Sequence, residues 1–274
     1  MKNSSGPQKK NTRVREFIAN PRKGLFRLAL PALIGMLVQT TYSLVDTAFI
    51  GRLGADSVAA LTFAFPVFFI LLSLNSGVAV GMSSLISRYL GADEQEKAEN
   101  TAIHGILLSV GLAVILFILG MLFIPQFLAL MGAEGRALSL GIAYMRIIFF
   151  GIFFLFTDLI FHYIFSSQGD TKTPMIVQVI SLMINIILDP ILIFVLDMGV
   201  QGAALATAIA YTCGFFISLY MLRTRSSLHI HRSSFSPALS IFKEIASVGA
   251  PATLMMILIS VSQMVINRFM SFFG

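Results

Sequence analysis

Seven long apolar runs leave this chain few ways to fold. They cover roughly residues 25–52, 58–87, 100–123, 136–166, 173–196, 202–222 and 244–273. About 20 apolar residues carry a helix across the ~30 Å hydrocarbon core of a bilayer. Within lipid every backbone N–H and C=O must be satisfied internally, and a helix does this within one segment. The sequence therefore predicts an all-α integral membrane protein. Its 274 residues are 57% hydrophobic and 12% charged, with mean hydropathy +0.87, whereas soluble domains carry about 25% charged residues. The first, second, fourth and seventh runs exceed one crossing and are expected to tilt or project. The first run is too long for a cleaved signal and lacks a small-residue cleavage site, so it reads as a true span.

Positive charge orients the bundle. Lys and Arg collect on the side that does not translocate. The tail together with Arg27 at the start of the first run, the alternate breaks and the loop 223–243 hold 15 of them, and the opposite side holds Arg52, Arg136, Arg146 and Arg268. The N-terminus is therefore expected in the cytoplasm, with the chain multi-pass in a prokaryotic plasma membrane. This clustering also explains the net charge of +6 without a nucleic-acid partner. The single cysteine, Cys213, lies in an apolar run and excludes an intrachain disulfide. No metal-ligand spacing, phosphate loop or nucleophile triad appears, and His229 and His231 in the basic loop read as solvent-exposed. No cofactor is expected and no enzymatic activity.

The organisation read from these breaks is a basic cytoplasmic tail (1–24), a six-helix unit (25–222), a cytoplasmic connecting loop (223–243) and a seventh helix (244–274). Internal repeats are common in transporters. Arg27–Gly54 and Ser247–Gly274 share an apolar lead, a proline (Pro31, Pro251), a long apolar run and a final glycine, at an offset of 220 residues. The seventh helix is thus read as the start of a second repeat, and the chain as part of a protein about twice as long, with a C-terminal lobe still to come.

Charges inside spans cost roughly 2.5–3.5 kcal/mol each on insertion scales, so they point to function. Asp46 lies eight residues before Gly54, and Asp189 eight before Asp197. At 1.5 Å per residue both sit roughly 12 Å below the same boundary. Tyr42 and Asn185 lie one turn before the two acids, on their faces. Tyr144 and Thr207, counted from Arg136 and Gly202, fall at the same level. Tyr42, Asp46, Tyr144, Asn185, Asp189 and Thr207 are therefore expected to line one cavity. Pro190 cannot donate to the Ile186 carbonyl, so a bend or movable joint is expected beside Asp189. Asp158 lies deeper, within a turn of His162, with a structural role as well supported as a functional one. Asn75 and Ser76 read as helix-packing hydrogen bonds, and Gly77 with Gly81 as a small-residue packing pair.

Burial disfavours an ionised carboxylate, and a second carboxylate nearby disfavours it further. Two acids in one half-wet cavity can therefore hold a proton and yield it to a lipophilic cation, which is the chemistry of antiport.

Several stretches carry a resemblance. Asn20–Gly54, GVAVGMSSLISRYLGA (Gly77–Ala92), SSQGDTKTPM (Ser166–Met175), INIILDPILIF (Ile184–Phe194) and GVQGAALAT (Gly199–Thr207) resemble, in order, the first half of multidrug and toxic compound extrusion (MATE) transporters. The likeness is greatest to the prokaryotic branch similar to the DNA-damage-inducible F protein. It implies a six-helix N-terminal lobe followed by the first helix of a second lobe. It also implies export of organic cations and other amphipaths in exchange for protons or, alternatively, sodium. Asp46 and Asp189 would be the proton- or cation-binding acids, hydrogen-bonded by Tyr42, Tyr144, Asn185 and Thr207. Where relatives often carry cavity asparagines, this chain has Asp158, Leu159 and His162.

Two other functions fit these residues less well. A flippase for lipid-linked precursors should line its cavity with Arg and Lys, but the deep charges here are acidic. An intramembrane aspartyl protease usually carries Tyr-Asp and Gly-x-Gly-Asp, where this chain has Val45-Asp46 and Leu188-Asp189.

Overall fold

The computed structural model describes residues 21–228, 230 and 235–270. They form seven long helices: α1 (Pro21–Gly51), α2 (Ala55–Gly91), α3 (Gln95–Leu130), α4 (Gly135–Ser167), α5 (Lys172–Pro190), α6 (Gly199–Arg225) and α7 (Leu239–Met270). A π-helical turn (Ile191–Val195) continues α5. All seven are long and apolar enough to cross a membrane, and the described residues include no strand. The protein is a multi-pass, all-α membrane protein. His229, His231 and most of the basic tail lie outside the described residues.

The helices overrun several of the predicted spans. α3 begins at Gln95 and continues through Pro125 to Leu130, burying Ile124 and Leu128 beyond the predicted end at 123. α6 keeps Arg223 and Arg225 in its last turn and α7 starts at Leu239, so the connecting segment is 226–238 rather than 223–243. Hydropathy locates the apolar centre of a helix; its polar ends, outside the hydrocarbon, carry no apolar signal. Each of the five short turns contains a residue with positive φ (Gly54, Asp93, Gly132, Gly169 and Asp197), and Gly135 and Gly199 share it at the first positions of α4 and α6. That conformation lets a helix end abruptly and the next run back beside it.

α4 is the most buried helix. α2, α3 and α6 pack around it, with Phe149, Ile152, Phe156 and Ile160 closed off from any surface. α1 leans mainly on α5, where Gly35 faces Gln178; its buried residues are Gly35, Tyr42, Asp46 and Ile50, while its other faces carry exposed leucines. α7 lies along α2. A methyl added at Gly249 would run into the Gly77 carbonyl, and one at Gly77 would come within 3.2 Å of the Gly249 carbonyl. Gly81 faces the α7 backbone at Ile245 in the same way. The predicted small-residue pair thus meets a glycine on α7, and the two backbones touch.

Side chains tie the connecting segment to the bundle. Gln168 Oε1 accepts from the Ser227 N–H (2.8 Å) and from the hydroxyls of Ser226 and Ser227. Asn100 donates to the Ser236 carbonyl and accepts from its N–H. His104 Nδ1 lies 2.8 Å from the Asn100 carbonyl, and its Nε2 accepts from the Ala238 N–H at 3.2 Å. Deeper in the bundle Asn75 Nδ2 donates to the Phe156 carbonyl at 3.0 Å, and Ser109 donates to Asn75 Oδ1 at 2.7 Å. The helix-packing reading of Asn75 is what the structure shows.

Candidate functional site

α1, α4, α5 and α6 converge at one level near the Gly51 and Asp197 ends of the bundle. Tyr42, Asp46, Tyr144, Asn185, Asp189 and Thr207 are all buried there. The two acids interact electrostatically, and Tyr144 senses both. Asn185 and Asp189 sit one turn apart on α5, and the Asn185 amide donates to Asp189 Oδ1 at 3.2 Å. The Tyr42 hydroxyl faces Thr207 without reaching hydrogen-bond geometry. The four residues singled out by depth and the two singled out by helix face are brought together.

The hydrogen-bond accounting is unusual. Six buried side-chain atoms among the described residues have no partner: Tyr42 Oη, Asp46 Oδ1, His162 Nε2, Asn185 Oδ1, Asp189 Oδ2 and Thr207 Oγ1. Five belong to this one cluster. A stranded buried polar group costs about 1–3 kcal/mol, and native interiors pair the great majority of theirs. Five at one spot form an oxygen-lined site equipped to bind a proton or a small cation, or to grip the cationic head of an amphipath.

Pro190 closes the regular part of α5. The chain does not break after it but widens into the π turn, in which Leu196 N–H donates to the Ile191 carbonyl at 2.9 Å. Gly202 of α6 packs directly on this turn: a methyl there would lie 2.6 Å from the Leu192 carbonyl.

The depth count missed Tyr211. Its ring stacks on Tyr42 with centroids 5.8 Å apart, and it interacts with Gln39 and electrostatically with Asp46 and Asp158. A signal was present, because Tyr211 lies four residues after Thr207 and shares its face. Gln39 likewise precedes Asp46 by seven residues, two turns along one face.

Asp158 is separate from the cluster. Its Oδ1 accepts from Ser218 of α6 at 2.6 Å and lies 3.4 Å from His162 Nε2. The expected pairing with His162 is therefore present as an ion-pair contact, not aligned as a hydrogen bond.

Known proteins share this architecture. The MatE family profile matches residues 31–191. The multidrug export protein MepA of Staphylococcus aureus (strain bovine RF122 / ET3-1) is 32% identical over 254 residues, covering 92% of this chain and 56% of MepA. An outward-facing structure of a multidrug resistance MATE family transporter of the MOP superfamily superposes with TM-score 0.87 at 35% identity, over 94% of this chain and 57% of that one. A MOP superfamily transporter from Pyrococcus furiosus Vc1, whose binding pocket of reversed polarity suggests a different function, matches with the same TM-score and identity, covering 94% of this chain and 57% of its own. The chain spans about half the length of these relatives.

Proposed function

The chain belongs to the MatE family, and from that premise we propose that it forms the N-terminal lobe, with the first helix of a second lobe, of a multidrug efflux antiporter. The transporter exports amphipathic organic cations across the plasma membrane in exchange for protons and converts no substrate chemically. Its N-terminus is cytoplasmic, as the bias of Lys and Arg requires. Asp46 and Asp189 take the proton or the cation in turn. Tyr42, Tyr144, Asn185 and Thr207 complete the shell, and the π turn after Pro190 is the joint at which α5 re-shapes the site.

One observation carries this reading: two buried acids that sense each other, ringed by side-chain oxygens and hydroxyls that have no partner. Placing two carboxylates together disfavours ionising both, so an arriving proton and an arriving cation compete for the same negative charge. A cation and a proton that share this site displace one another directly. The oxygen ring would also suit sodium, so the driving ion is an arm of the test.

A lipid-linked precursor flippase is the second reading, because reversed pocket polarity is what suggests a different function for the Pyrococcus furiosus relative. The charged side chains of this site are carboxylates, which repel phosphate, and the antiporter is therefore preferred.

The test is efflux of a cationic dye by the full-length protein in proteoliposomes, with an imposed proton gradient or an imposed sodium gradient. The proton gradient is expected to drive efflux, and Asp46→Asn and Asp189→Asn are each expected to abolish it. Full retained efflux in both variants would refute the assignment, and binding of a polyprenyl-phosphate but of no cation would favour the flippase.

A further inference from the structure

We infer that Asp158 and His162 form a second proton-binding site, distinct from the Asp46–Asp189 cluster and lying nearer the basic-loop end of the same lobe. Both are buried, on successive turns of α4, with Asp158 Oδ1 and His162 Nε2 3.4 Å apart. His162 Nε2 is the only orphaned buried polar atom among the described residues that lies outside the cluster. His162 is 8% exposed, and native interiors leave few buried polar atoms without a partner.

Polar residues recur on the helix faces that run between the two sites. Along α5, Ser181, Asn185 and Asp189 recur every four residues, all buried. Along α6, Thr207, Tyr211, Gly214 and Ser218 recur at spacings of four, three and four, which is one helix face. Ser218 lies eleven residues past Thr207, roughly 16 Å along the axis. At Gly214 the absent side chain leaves a cradle: a methyl there would lie 2.7 Å from Ser181 Oγ and 3.4 Å from Asp158 Oδ2. Tyr211 interacts electrostatically with Asp46 on one side and Asp158 on the other.

The surroundings define what the pair can bind. Its own helix supplies His162, α6 supplies Ser218 and Tyr211, and α5 supplies the Ser181 hydroxyl. α2 and α3 bring Asn75 and Ser109 to the neighbouring turn of α4, where both are satisfied. The carboxylate thus has one cationic partner available, the imidazole. Adding one proton to the pair gives imidazolium beside carboxylate with no net charge; removing it leaves neutral imidazole beside carboxylate with net charge −1. A proton is the ligand, because the pair offers one carboxylate and one imidazole and no ring of oxygens for a metal ion.

The measurement is 15N NMR of histidine-labelled full-length protein in lipid, titrated between about pH 5 and 9, which brackets the ordinary histidine value near 6.5. His162 is identified by the signal that His162→Asn removes. In the unaltered protein the His162 ring is expected to change protonation state in this range. Asp158→Asn is expected to hold it neutral throughout, and Asp158→Glu to restore the titration. A His162 ring that stays in one state across the range in the unaltered protein overturns the inference, as does unchanged titration in Asp158→Asn. The first of these needs no variant to fold. The inference is independent of the role proposed for Asp46 and Asp189: Asp46→Asn is expected to leave the His162 titration in place, and dye efflux is read separately.

Discussion

His104 and His162 are both buried in this bundle, at 0% and 8% exposure, yet their nitrogens are treated differently. His104 has a partner for each nitrogen, the Asn100 carbonyl and the Ala238 N–H, and its ring is flanked by Phe235 and Phe242. His162 keeps Nε2 near an acid without a hydrogen bond. The same contrast separates two whole regions. At the basic-loop end, Asn100, His104 and Gln168 pair with the connecting segment. At the other end, five polar atoms of the α1–α4–α5–α6 cluster are left without partners. Satisfied polar groups hold the fold in place. Unsatisfied ones are a standing cost that water or a ligand can relieve, and on the proposed reading they mark where a proton or cation is bound.

The comparison can be broken most forcefully at the acids. Asp189→Asn preserves size and removes the charge, so proton-driven efflux is expected to fall to background while folding, read by gel filtration, is kept. Next in size is Gly249→Leu. Its side chain would meet the α2 backbone at Gly77, and overpacking a tight contact costs about 1–3 kcal/mol or more. A lower melting temperature of the detergent-solubilised protein is expected, and Gly249→Ala should lower it less. An unchanged melting temperature in both would show that α2 and α7 do not touch at this seam.

His104→Ala is the mirror of the acid variants. It strands the Ala238 N–H, for which the cost is about 1–3 kcal/mol, so stability should fall while efflux per folded molecule keeps its pH profile. The smallest effect belongs to Thr207→Val. It removes a hydroxyl that has no hydrogen-bond partner, so the melting temperature should hold or rise slightly, while affinity for the cation should weaken. A loss of stability as large as that of His104→Ala would mean that Thr207 is a structural residue and would erase the contrast.

Much of this was legible in the sequence, for physical reasons that also set the limits. Lipid forces backbone satisfaction into helices, so span number followed from hydropathy. Helix rise is constant, so counting from the breaks placed Asp46, Asp189, Tyr144 and Thr207 at one level. Counting selects one level, and Tyr211, one turn beyond Thr207 on the same face, falls off that level although it stacks on Tyr42. The hydrophobic signal fades at helix ends, so Arg223, Arg225 and the last turn of α3 were assigned outside their helices. The π turn after Pro190 had no sequence signature beyond the proline itself, because its geometry depends on α6 packing against it at Gly202. Hydrogen-bond satisfaction, on which the functional reading rests, requires three-dimensional partners and is invisible in a linear pattern.

The most direct measurement of the central claim is proton release on substrate binding. Purified full-length protein in weakly buffered detergent is mixed with a cationic dye, and the proton count is read with a pH indicator. The account predicts release by the unaltered protein, none by Asp46→Asn or Asp189→Asn, and normal release by folded His104→Ala. Undiminished release from both aspartate variants would contradict it, as would release lost only in His104→Ala.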